Sequence, residues 1–138
     1  MGKKTTTYKV EPDENFIAFA VSSAEDDYRL AWLLNTTLDI TLGRTESTEQ
    51  DEERLFPTFF YEDVSCKQHY TLAANRTKTG QYLIPQLKNV DYIFKISGTL
   101  TDERQTQLIN ALRIIPEISA CIPIQTDSSA ILFFLKKL

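Results

Sequence analysis

Apolar and polar positions alternate along this chain in short segments, most of which favour β-strands. Strands are predicted where aromatic or β-branched residues form a short run or recur with period two, at residues 16–21, 55–61, 67–73, 92–97 and 118–124. Residues 40–42 could add a brief strand that ends at Gly43. The segment 92–97 has the clearest pattern, because Tyr92, Phe94 and Ile96 alternate with Ile93, Lys95 and Ser97.

Two segments have helical spacing instead. Leu30, Leu34 and Leu38 form an i, i+4, i+8 stripe, which predicts a helix over residues 24–38. Ser22 and Ser23, each followed three residues later by an acidic residue, resemble a capping box at its start.

A second helix is predicted after Gly98, capped by Thr99 or Thr101 and ended by Pro116. The apolar segment 130–135 near the end of the chain fits either a strand or a short helix.

This order of elements predicts an α+β fold. We expect a two-layer sandwich, with two amphipathic helices on one face of a mostly antiparallel sheet of about five strands. Residues 1–15 are polar and are expected to be a flexible lead-in, so the single domain would span residues 16–138.

Composition supports a folded domain, and charge bears on its partners. Leu, Ile, Val and Phe account for 39 of 138 residues, which is enough for a core. The net charge is −4, with −7 in residues 1–69 and +3 in residues 70–138. An acidic total argues against nucleic-acid binding, and RNA binding through the basic loop 76–88 remains a minor alternative.

The amino-acid sequence also bears on where in the cell the protein is found. No apolar run exceeds six residues, so no membrane span is expected, and no secretory signal is recognised at the N-terminus. We therefore expect a cytoplasmic protein with reduced thiols at Cys66 and Cys121.

Side chains capable of chemistry are few. One His, two Cys and four Gly cannot build a four-cysteine metal site or a glycine-rich phosphate loop. Cys66 and His69 are three residues apart, and on a strand such positions point to opposite faces. We predict no metal, no cofactor and no nucleophilic catalytic site.

Acidic residues at the ends of elements leave an alternative open. Asp26 and Asp27, Glu62 and Asp63, and Asp91 could converge to hold magnesium or to act as an acid–base pair. The simpler interpretation is that each carboxylate caps a helix or strand or faces water.

Two stretches resemble the IPExxxVDY family of bacterial proteins. Residues 84–92 read Ile-Pro-Gln-Leu-Lys-Asn-Val-Asp-Tyr, with Gln86 where the family name has Glu. Residues 22–35, a serine pair followed by Asp-Tyr-Arg-Leu-Ala and Leu-Asn, are similar to the family's other recurring stretch. The resemblance implies a cytosolic bacterial protein, and no activity comes with it.

The residues that carry this resemblance are the candidate site residues. They are Asp27, Tyr28, Arg29, Asn35, Ile84, Pro85, Asp91 and Tyr92. One hypothesis is that Arg29 pairs with Asp91 and so ties the first helix to the central strand, although a pair with Asp26 on the same helix is also open.

The leading functional hypothesis is a non-catalytic domain that binds a protein partner, either another protein or a second copy in a homo-dimer. It rests on the scarcity of catalytic side chains and on aromatic residues that are hard to bury together, namely Phe59, Phe60, Tyr61, Phe133 and Phe134. The alternative is a small-ligand sensor or a carboxylate-dependent enzyme with a cleft formed by Asp27, Arg29, Asp91 and Tyr92.

Overall fold

The computed structural model describes residues 15–45, 56–77, 80–125, 129–136 and 138. The predicted lead-in, apart from Asn15, lies outside these residues, as does most of the acidic segment after Arg44.

Within these residues, six strands form one antiparallel sheet. They are β1 (Phe16–Ser23), β2 (Gly43–Arg44), β3 (Thr58–Asp63), β4 (Gln68–Ala74), β5 (Tyr92–Ser97) and β6 (Ile118–Pro123). Their order across the sheet is β2-β3-β4-β5-β1-β6, and every neighbouring pair is antiparallel. The predicted α+β class is confirmed, and β5 has the predicted bounds.

The main core lies between the sheet and two helices, α1 (Asp27–Leu38) and α2 (Asp102–Arg113). Val21, Leu72 and Phe94 supply the sheet side of this core. Leu30 and Leu34 from α1 are buried against it, as the predicted stripe requires, and Leu108 and Leu112 from α2 are buried there as well.

A third helix, α3 (Ser129–Lys136), covers part of the opposite face, so the segment 130–135 is helical. Leu135 of α3 is buried with Ala18, Ile93 and Ile84, and the last of these lies in the loop before β5. The loop that carries the family-like motif therefore packs on the face away from α1 and α2.

The start of α1 differs from the prediction. Ser22 and Ser23 belong to β1, because the strand continues in register with β6 up to a bulge between these two residues. Asp26 is the N-cap, and its Oδ1 accepts a hydrogen bond from the Arg29 amide at 2.8 Å. The predicted capping box is wrong because both serines are part of β1.

The predicted strand at residues 40–42 was also displaced. The strand is formed by Gly43–Arg44 instead, and Leu42 is buried beside the end of α1. The Asn35 side chain holds this connection, since its Oδ1 accepts from the Leu42 amide at 2.8 Å and its Nδ2 donates to the Leu42 carbonyl at 3.2 Å.

Candidate functional site

The loop of residues 83–90 is fixed by one buried side chain, Asn75, which directly follows β4. Its Nδ2 donates to the carbonyl oxygens of Leu87 at 2.7 Å and Val90 at 3.0 Å, and its Oδ1 accepts from the Ile84 amide at 2.9 Å. Asn75 and Ile84 are both 0% exposed. Pro85 lies beside them and is exposed. Ile84, the first residue of the family-like stretch 84–92, is thus a core residue rather than a site residue.

Asp91 joins three parts of the chain at the entry to β5. Its Oδ2 accepts from the Ser23 amide at 2.9 Å, and its Oδ1 accepts from Arg76 Nη2 at 2.7 Å. The hypothesis that Arg29 pairs with Asp91 is wrong. Arg29 instead lies 3.6 Å from a carboxylate oxygen of Glu117 and 4.0 Å from one of Glu25.

Tyr92 links β5 to the β1–α1 connection. Its hydroxyl donates to the Glu25 carbonyl oxygen at 2.7 Å, while the ring is buried in the main core. Burial, followed by the negative charges of Asp27, Asp26 and Asp91, raises the pKa of Tyr92 to about 12. The hydroxyl is therefore protonated at neutral pH, and it serves as a hydrogen-bond donor rather than as a base.

An open pocket of about 240 Å³ lies where these contacts meet. Its lining residues come from the β1–α1 connection and from the ends of β4 and β5: Ser23, Ala24, Glu25, Ala74, Arg76, Asp91 and Tyr92. Two of the four residues predicted for a cleft, Asp91 and Tyr92, thus line one pocket, whereas Asp27 and Arg29 do not. The sequence prediction missed Arg76, which it placed in a basic polar loop.

The remaining predicted carboxylates each have a local structural role. Hydrogen bonds from the Ser65 hydroxyl and the Cys66 amide to Asp63 hold the pKa of that carboxyl below its usual range. Glu62 lies 3.4 Å from His69 on the neighbouring strand. Both acids pair with the start of β4, whereas Asp91 lies beside the end of β4, so they do not converge with Asp91.

Neither cysteine adds a second site. Burial raises the pKa of the Cys121 thiol to about 11, as expected for a thiol that packs as a small apolar group. Cys66 is exposed in the turn between β3 and β4. Within the described residues, no group of three or more His, Cys, Asp or Glu side chains is placed to hold a metal ion.

The Asp-Tyr-Arg stretch occupies the outward face of α1. Tyr28 and Trp32, one helical turn apart, are 61% and 55% exposed, and Arg29 stacks on Trp32 with its guanidinium carbon 4.9 Å from the ring centroid. Tyr28 meets Phe59 edge-to-face at 5.3 Å, and Arg44 Nη1 donates to the Tyr28 hydroxyl at 3.3 Å. We name Tyr28, Arg29 and Trp32 the α1 outer patch.

The aromatic residues singled out from the sequence do not form one cluster. Strand alternation points Phe59 and Tyr61 of β3 toward α1 and α2, and points Phe60 to the other face of the sheet. Phe133 and Phe134 contact each other on α3, with ring centroids 5.6 Å apart. Tyr28 and Trp32 are the exposed aromatics of α1, and the sequence prediction did not include them among the aromatic residues that favour an interface.

No protein-family model matches this sequence, and no curated protein matches it. The resemblance to the IPExxxVDY family therefore stays a prediction. None of the described helices is both long enough and apolar enough to span a bilayer.

Proposed function

We propose that the protein is a non-catalytic cytosolic domain that acts by binding another protein, and that the α1 outer patch is the centre of its binding surface. The observation that carries this proposal is the exposure of Tyr28 and Trp32 on neighbouring turns of α1, with Arg29 stacked on the Trp32 ring. Tyr, Trp and Arg are the residue types most enriched among those that dominate binding energy at protein interfaces.

The patch is also held in place before any partner arrives. Tyr28 packs against the buried ring of Phe59 and accepts a hydrogen bond from Arg44. Arg29 is fixed between Trp32 and the Glu117 carboxylate. Side chains that are already ordered lose less conformational entropy on binding, which favours affinity.

The candidate carboxylates already accept hydrogen bonds within the fold, which supports a binding role over an acid–base role. Both Asp91 oxygens accept hydrogen bonds from within the fold, and Asp26 caps α1. A general acid or base needs a carboxyl group within hydrogen-bond reach of a substrate proton. The Asp91 carboxylate instead joins the end of β1 and the Arg76 side chain to the start of β5, and the Asp26 carboxylate holds the first turn of α1.

The test is capture of a partner with matched variants. We expect immobilised wild-type protein to retain a specific protein from a bacterial lysate, and the Trp32→Ala and Tyr28→Ala variants to lose at least tenfold in affinity for that protein once it is purified. Phe133→Ala is the matched control, since Phe133 is 57% exposed on α3. Equal binding by wild type and both patch variants would refute the proposal.

The open pocket favours a second candidate function, the sensing of a small polar ligand. Its lining brings the Arg76 guanidinium, Asp91 and the Tyr92 hydroxyl to one concave surface. This candidate predicts that one member of a panel of small polar metabolites raises the melting temperature of the wild type and not of Arg76→Ala. It is refuted if no member shifts the wild type, or if both proteins shift equally.

A further inference from the structure

Building on the proposed function, we infer that the partner of the α1 outer patch is a different protein that presents an apolar anchor surrounded by lysine or arginine, rather than a second copy of this chain. The inference rests on the charges that surround Tyr28 and Trp32.

Acidic side chains outnumber basic ones around the patch. Each guanidinium beside the aromatic rings already has a carboxylate within 4.0 Å: Glu25 and Glu117 flank Arg29, and Asp27 faces Arg44. Asp26 adds a further exposed carboxylate at the helix start. Among the residues that the structure describes, these four carboxylates and two guanidiniums give the surface a formal charge of −2.

An acidic partner would meet this surface at a disadvantage. Its carboxylates could approach Arg29 only beside Glu25 and Glu117, and like charges brought together at an interface cost free energy. A basic partner can instead place its ammonium or guanidinium groups on the rim carboxylates, which also speeds association.

The same charges disfavour a symmetric dimer through this patch. A two-fold contact brings the same surface of both copies together, so two surfaces of charge −2 would face each other. The net charge of −4 on each chain adds to the repulsion. Self-association is the arrangement that this surface fits least.

The aromatic pair determines the centre of the partner's surface. Tyr28 and Trp32 lie at i and i+4, so both side chains project from the same face of α1. Their rings offer apolar area for an aliphatic or aromatic anchor, and their faces can also accept a cation. The partner would therefore carry the anchor at the centre and its cations at the edge.

The experiment measures the salt dependence and the cross-linking pattern of the partner captured through the patch. Trp32 is the only tryptophan, so its emission and its protection from acrylamide report directly on this surface when the partner is free of tryptophan or is labelled. We expect affinity to fall severalfold as salt rises from about 0.05 M to about 0.5 M, because rim charges are screened. A zero-length carbodiimide reagent should join Glu25, Asp26 or Glu117 to partner lysines.

Neutral variants supply the control. The double variant Glu25→Gln/Asp26→Asn keeps a capping side chain at position 26 and should weaken binding about three- to tenfold at low salt and much less at high salt. The matched control is Asp102→Asn/Glu103→Gln, the exposed acidic pair in the first turn of α2, which should leave affinity unchanged.

The outcomes separate this inference from the proposed function. Binding that needs Trp32 but is insensitive to salt and to Glu25→Gln/Asp26→Asn would overturn the basic partner and leave the proposed function standing. Cross-links between isotopically distinct copies of this chain at the same carboxylates would overturn it in favour of self-association. Binding that does not need Trp32 or Tyr28 would instead refute the proposed function itself.

Discussion

Replacing Asp91 with alanine removes the acceptor that ties the end of β1 and the Arg76 side chain to the start of β5. The Ser23 amide is buried and would lose a charged acceptor at 2.9 Å, which costs about 1.5–3 kcal/mol. The Arg76–Asp91 pair, with side chains 51% and 25% exposed, adds about 0.5–1 kcal/mol after solvent screening. We therefore expect Asp91→Ala to lower the free energy of unfolding by about 2–4 kcal/mol.

Double-mutant cycles identify which arginine Asp91 pairs with. Arg76→Ala combined with Asp91→Ala should give a coupling free energy of about 0.5–1 kcal/mol, because the two side chains lie 2.7 Å apart. Arg29→Ala combined with Asp91→Ala should be additive within about 0.3–0.5 kcal/mol, because Arg29 contacts Glu25 and Glu117 instead.

Urea denaturation followed by far-ultraviolet circular dichroism measures both cycles. Tryptophan emission is a poor probe of unfolding in this protein, because Trp32 is exposed in the native state. Additive losses for Arg76 and Asp91, or coupling above about 0.5 kcal/mol between Arg29 and Asp91, would refute the assignment of Asp91 to Arg76.

Three further changes test the surroundings of the site, each by urea denaturation. Because the pKa of Tyr92 is raised from 10.0 to about 12, its contribution to the free energy of unfolding is fully present below pH 10 and is lost as pH rises toward 12. Over that range the free energy of unfolding of the wild type should fall by about 2–3 kcal/mol more than that of Tyr92→Phe, and parallel losses would contradict this. Asn75→Ala leaves two carbonyls and one amide without their partner and should lower the free energy of unfolding by about 3–4 kcal/mol. A loss below about 1 kcal/mol would contradict the role of Asn75 in fixing the loop of residues 83–90. Gly98→Ala should lower the free energy of unfolding by about 1–3 kcal/mol, because φ is +112° and a Cβ would lie 2.7 Å from the Lys67 carbonyl oxygen. Gly43→Ala is the control: there is open space around Gly43, so the change should stay within about 0.5 kcal/mol, and equal changes for the two variants would refute this reasoning.

Local patterns were enough to predict most of the elements. The period-two pattern from Tyr92 to Ser97 predicts β5 correctly because Tyr92, Phe94 and Ile96 share one face of the strand, which packs into the main core. The leucines of α1 and α2 face the sheet as their spacing requires. Thr101 caps α2 with a 3.0 Å hydrogen bond from the Arg104 amide, which was one of the two predicted caps.

The candidate site could be predicted only in part, because its contacts join residues far apart in the chain. Asp91 and Ser23 are 68 residues apart, and no local pattern pairs them. Asn75 was missed for the same reason: in the sequence it opens a polar loop, and only the returning backbone at residues 84–90 makes it a buried hydrogen-bonding centre. Arg29 lies beside Glu25 and Glu117 rather than beside Asp91, one of the two partners that the sequence left open, because charge alone does not specify a partner when several acids are within reach of one helix.

The outer edge of β6 bears on where the proposed partner binds. Ile124 donates its amide hydrogen to the Ala18 carbonyl, so by antiparallel alternation the backbone groups of Cys121 and Pro123 point away from β1. Pro123 has no amide hydrogen to offer there, and the Cys121 carbonyl already accepts from Arg113 Nε at 3.2 Å. An added strand could therefore not form the usual two hydrogen bonds with either Cys121 or Pro123, as in proteins whose edges are protected from pairing. Since strand addition at β6 is disfavoured in this way, the α1 outer patch, where two exposed rings and a stacked arginine lie together, is the better-prepared surface for a partner.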